Sequence, residues 1–178
     1  PQSEKEVTEA LAAHHKTPAE LQPLEKKHVQ LLPTNESRVL MAQYDAKQLY
    51  YMQFSNLGKQ FDVTADPEIT LYNEYFGGGM NSIVFQEMRE ARGLAYSAAA
   101  RIMQPGYADR NYGYMAFIAT QNDKMQTAIE AFDEIINNMP ESEAAFNIAK
   151  DGLISRLRTN RTVKDQVLWS YIDQRDMG

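Results

Sequence analysis

Arg89 and Tyr96 stand seven residues apart in the stretch FGGGMNSIVFQEMREARGLAYSAAA, residues 76–100. An arginine presents a rigid fork of donors that grips carboxylates and peptide carbonyls. A tyrosine hydroxyl can donate to an oxygen on which negative charge develops during acyl transfer. The same residues also suit a plain helix-to-strand corner. Basic side chains in a last helical turn complement the helix dipole, and Gly93 suits the position just past the helix end. Tyr96, alternating with Ala98 and Ala100, would then half-bury its ring and leave its hydroxyl in water. Spacing alone leaves both readings open.

Other chemistries find less support. The histidines are His14, His15 and His28, and neither HExxH nor HxxEH occurs. His14 and His15 are adjacent and would point ~100° apart on a helix, so they cannot share a metal-binding face. The expectation is a chain with no zinc site of its own. Ser97 has no evident base nearby, and the absence of cysteine removes thiolate nucleophiles and disulfides. Gly77, Gly78 and Gly79 follow a helical pattern rather than a strand, and no GK[ST] comes after them, which excludes a phosphate loop. A net charge of −6 without a dense Lys/Arg run argues against nucleic acid as a partner. No apolar run approaches the ~20 residues of a membrane span. Lack of cysteine does not fix the compartment, which stays open between periplasm and cytoplasm for a bacterial protein.

The elements that must carry Arg89 and Tyr96 are readable in outline. Residues 1–27 are polar; Ser3 with Glu6 and Thr17 with Glu20 match capping boxes, and Pro18 fits a first helical turn. Two short helices joined near His15–Lys16 are predicted there, as a linker or N-terminal extension to a domain at 28–178. HVQLL (28–32), SRVLMAQYD (37–45) and QLYYMQFSN (48–56) read as strands, with a tight turn at Asp45–Lys47 joining the last two. Asp66 as N-cap and Pro67 as first helical residue are predicted to start a helix that Gly77–Gly79 end. Asn81 or Ser82 then caps a second helix, with Met80, Val84, Met88 and Ala91 on one face and Arg89 and Arg92 at its border. Residues 95–104 and 112–121 predict a hairpin around PGYADRN. Met125, Ala128, Ile129, Phe132, Ile135 and Ile136 form a helical stripe that Pro140 breaks. Two more helices follow, one marked by Phe146, Ala149, Leu153 and Leu157, the other capped by Thr162. The order predicts an α+β fold, a mostly antiparallel sheet with helices on one face. A start without Met and a stop just after a helical pattern suggest a piece of a longer polypeptide.

FGGGMNSIVFQEMREARGLAYS resembles the signature region of the pitrilysin/insulinase family of zinc metallopeptidases, which includes mitochondrial processing peptidase and insulin-degrading enzyme. The resemblance is specific from Leu71 to about Ser97 and looser through the late helices; residues 1–27 carry none of it. It implies the domain that lacks zinc ligands and faces a zinc-bearing domain across a chamber. On that reading, Arg89 and Tyr96 are the catalytic and substrate-binding pair that reaches the active site of the other domain. The cofactor is zinc in the full enzyme, held by an HxxEH-bearing domain or partner subunit and not by this chain. The substrate is a peptide or unfolded protein, and the chain alone is expected to be inactive. The family also contains non-catalytic respiratory-complex core subunits, so a scaffold is an alternative. So is a peptide-capture module that adds a substrate strand to 48–56 or 112–121.

Overall fold

A computed structural model describes residues 2–23 and 31–177. Three antiparallel strands carry the architecture: β1 (Gln48–Gln60), β2 (Ser97–Met103) and β3 (Asn111–Gln121), in the order β1-β3-β2. β3 pairs with both neighbours, Tyr51 opposite Ile118 and Ala99 opposite Phe117. The β2–β3 hairpin matches the prediction around Pro105 and Gly106. Because side chains alternate along a strand, Ala98, Ala100, Ala116 and Ile118 line one face, and helices cover it. The small residues let that helical layer come close. Tyr50, Met52 and Phe54 take the other face and remain exposed, with Tyr50 stacked on Phe117 at 5.9 Å.

The helices are α1 (Glu4–His14), α2 (Asp66–Phe76), α3 (Ile83–Phe85), α4 (Met125–Asn137), α5 (Glu143–Thr159) and α6 (Val167–Met177). Phe76, Val84, Met88, Phe132 and Ile135 from α2, from α3 and its continuation, and from α4 fill the core against the sheet. α2 also lies along β2. The Asn73 side chain donates to the Ile102 carbonyl at 2.9 Å and accepts from its N–H at 2.7 Å, which occupies part of that strand's outer edge. Tyr75 links α2 to the start of α5, its hydroxyl donating to the Pro140 carbonyl and accepting from Ser142 N–H.

Several expectations need correction. The Ser3–Glu6 capping box is formed, but residues 15–23 carry no second helix despite Thr17 and Glu20. A short segment with every residue exposed gains no burial to offset the cost of helix nucleation. Residues 37–45 are irregular and exposed instead of forming a strand, and the predicted hairpin at Asp45–Lys47 is absent. No described strand pairs along the outer edge of β1, and residues 37–45 do not add to it. Of the segment 28–32, His28–Gln30 fall outside the described residues; Leu31 and Leu32 are irregular, their carbonyls accepting from the Asn56 amide. The cap of α2 sits one step earlier than predicted. Asp62 accepts from Thr64 N–H at 2.9 Å and opens a 3-10 turn that runs into α2, so Asp66 is its first residue and bonds Gln104 instead. Thr162 caps nothing: a 3-10 turn at Lys164–Gln166, preceded by Val163, leads into α6.

Candidate functional site

Ser82 starts the element that carries Arg89. It is 1% exposed, its hydroxyl donates to the Gly79 carbonyl at 2.6 Å, and it accepts from Phe85 N–H at 3.4 Å. α3 lasts a single turn before it widens into a π-helical segment, Gln86–Ala91, in which Arg92 N–H reaches back five residues to the Glu87 carbonyl. The widening explains a difference from prediction. Val84 and Met88 are buried, but Ala91 is rotated out into solvent, and Met80, ahead of the cap, is 72% exposed. π-helical turns cost hydrogen-bond regularity and concentrate at functional sites.

The corner that delivers Tyr96 is tied down at nearly every backbone group. Gly93 has φ of 59°, a left-handed conformation that glycine adopts without strain. Its carbonyl accepts from the Lys124 ammonium at 3.3 Å. Leu94 N–H and Ala95 N–H both donate to the Met88 carbonyl, at 2.9 and 3.2 Å. The buried Thr120 hydroxyl donates to the Leu94 carbonyl at 2.6 Å, and Tyr96 N–H donates to Ala119 of β3 at 2.8 Å. Tyr96 is thus fixed at its backbone while its side chain, 69% exposed, stands outside the core.

Arg89 and Tyr96 meet. The Arg89 guanidinium carbon lies 5.5 Å from the centre of the Tyr96 ring and 5.0 Å from that of Phe85. Glu90 approaches the guanidinium at 3.6 Å. Arg92, which the sequence placed beside Arg89, has a different role: it pairs with Glu134 of α4 at 2.8 Å and with Glu87 at 3.5 Å. The hydrogen bond that Arg92 donates to Glu134 is the largest cause of its raised pKa. That pairing clamps the end of the π segment to α4 and leaves Arg89 as the cation that faces Tyr96. Thr120, Lys124 and Phe85 were not singled out from sequence. The i, i+4 spacing of Phe85 and Arg89 was the available signal for one of them.

The described residues contain no group of three or more metal-ligating side chains, and exposed His14 and His15 lie at the end of α1. No described helix is long and apolar enough to cross a membrane.

The family described as the peptidase M16 inactive domain matches residues 4–153. Among solved structures, the chain is similar to a protease from Helicobacter pylori, with a TM-score of 0.67, 14% identity, and coverage of 99% of this chain and 44% of that one. It is also similar to the peptidase M16 inactive domain from Pseudomonas fluorescens, with a TM-score of 0.55, 18% identity, and coverage of 75% of this chain and 31% of that one. The chain therefore spans less than half the length of either structure. No curated protein sequence matches it. Over most of its length, the chain belongs to the peptidase M16 inactive-domain family.

Proposed function

We propose that this chain is the zinc-free half of a zinc-dependent metalloendopeptidase, and that Arg89 and Tyr96 complete an active site whose HxxEH residues belong to another domain or subunit. The reading is supported most by one observation: Arg89 and Tyr96 stand together outside the core, on a corner whose backbone is fixed by hydrogen bonds. An inactive domain of a peptidase family also calls for a catalytic counterpart.

When bound in the counterpart, zinc supplies an activated water as nucleophile. The work of this chain is electrostatic and positional. The Tyr96 hydroxyl donates to the scissile carbonyl oxygen as it gains negative charge, and Arg89 holds the peptide backbone, or Tyr96 itself, through its fork of donors. Substrates are peptides or unfolded proteins. Strand addition to 112–121 is excluded by topology, since β3 is central and paired on both sides. Of the two strand readings, only β1 retains an edge for an added substrate strand.

The test is Arg89→Ala in the full polypeptide, assembled with its zinc-bearing counterpart, using a quenched fluorescent peptide. The expected result is a rise in KM with a fall in kcat, at unchanged zinc content and thermal stability. Unaltered kinetic constants would overturn the assignment.

A further inference from the structure

We infer that Phe85 is a positioning residue for Arg89, holding the guanidinium over Tyr96 in the orientation that peptide recognition needs. The inference rests on the function proposed above. Phe85 is the last residue of α3 and lies four residues before Arg89, so the two side chains project from the same side of the element. The guanidinium carbon is 5.0 Å from the Phe85 ring and 5.5 Å from the Tyr96 ring, within the range in which an aromatic quadrupole attracts a cation.

Geometry explains why a second ring is required. The Arg89 side chain is 44% exposed, and its only ion pair among the described residues is with neighbouring Glu90 at 3.6 Å. An arginine so placed has many rotamers, and fixing it in one costs conformational entropy. Tyr96 alone would bind the cation from one side and leave it free to swing. Phe85 is partly buried and rooted beside Val84, which is fully buried, so its ring is a stable surface for the guanidinium. The π-helical segment that carries Arg89 begins immediately after Phe85 and has its far end fixed by Arg92 to Glu134. Phe85 carries no polar atom and does no chemistry; it acts only through Arg89.

The experiment is a double-mutant cycle in the full polypeptide with its zinc-bearing counterpart. The variants are Phe85→Leu, Phe85→Trp, Arg89→Ala and the Phe85→Leu/Arg89→Ala double. Each is assayed for kcat and KM, for melting temperature, and for affinity of a fluorescein-labelled peptide in chelator-treated protein. Phe85→Leu should weaken peptide affinity and kcat/KM by about two- to fivefold, the size of one exposed cation–ring contact. Phe85→Trp should restore both. On the Arg89→Ala background, Phe85→Leu should change neither. Equal losses with and without Arg89, or a loss that Trp does not restore, would overturn the positioning role and make Phe85 a packing residue. If Arg89→Ala alone alters nothing, the underlying assignment of Arg89 fails, and the role of Phe85 with it.

Discussion

Thr120 shows how much of this site is held by groups that never approach substrate. It is 3% exposed, and its hydroxyl meets the Leu94 carbonyl at 2.6 Å, two residues before Tyr96. Thr120→Val keeps the shape and removes the donor, leaving that carbonyl without its partner. A buried group so orphaned costs about 1–3 kcal/mol, which urea denaturation should detect as a lower midpoint with unchanged slope. Arg89 and Tyr96 were legible as candidates from residue type, spacing and the surrounding motif. Phe85 and Thr120 were not, because a ring four residues upstream and a hydroxyl on another strand look like ordinary core in one dimension.

The three glycines make a distinction between neighbours that the sequence does not. A Cβ on Gly77 would lie 2.0 Å from the Ala100 carbonyl oxygen and 2.5 Å from its nitrogen, both backbone atoms of β2. The end of α2 is therefore pressed against the strand that begins just after Tyr96. A Cβ on Gly79 would meet nothing within 4 Å. Gly77→Ala should destabilise by about 3 kcal/mol or more, since overpacking against backbone cannot be relieved by a rotamer change, while Gly79→Ala should be nearly neutral; chemical denaturation of the pair decides this. A cap at Asn81 or Ser82 was readable because a small polar residue before an apolar run satisfies an unpaired helix N–H, and the structure gives that role to Ser82. The π segment was not, since Val84, Met88 and Ala91 fit an ordinary α-helical stripe, and only packing reveals that Ala91 has turned outward. The missing strand at 37–45 has a similar origin. Apolar residues such as Val39, Leu40 and Met41 satisfy strand propensity, but propensity alone does not seat a segment on a free edge such as that of β1.

Across the whole molecule, the order from β1 onward, a strand, two helices, a hairpin and three helices, was legible because alternation and helical periodicity mark it directly. The sheet order β1-β3-β2 was not, since antiparallel pairing of distant segments leaves no periodic trace. The helix–sheet core also sets a limit on alkaline stability. Burial raises the pKa of Tyr72, with Tyr114 beside it adding to the rise, and burial likewise raises Tyr114 and Tyr51. A raised phenol pKa favours the neutral form in the fold. Unfolded tyrosines ionise from about the ordinary value of 10.0, so above that pH the unfolded state binds fewer protons and stability falls as pH rises. Denaturant midpoints should hold level from pH 7 to 9 and drop above pH 10, and Tyr72→Phe should reduce the drop; an unchanged drop would place the alkaline sensitivity elsewhere. The central claim concerns Tyr96 and is tested most directly by kcat for Tyr96→Phe in the full polypeptide with its zinc-bearing counterpart, at matched zinc content and melting temperature. A donor to a developing oxyanion is worth on the order of 10²–10³ in rate, so the account predicts a fall of at least tenfold, whereas wild-type kcat in the variant would contradict it and leave Tyr96 a structural residue.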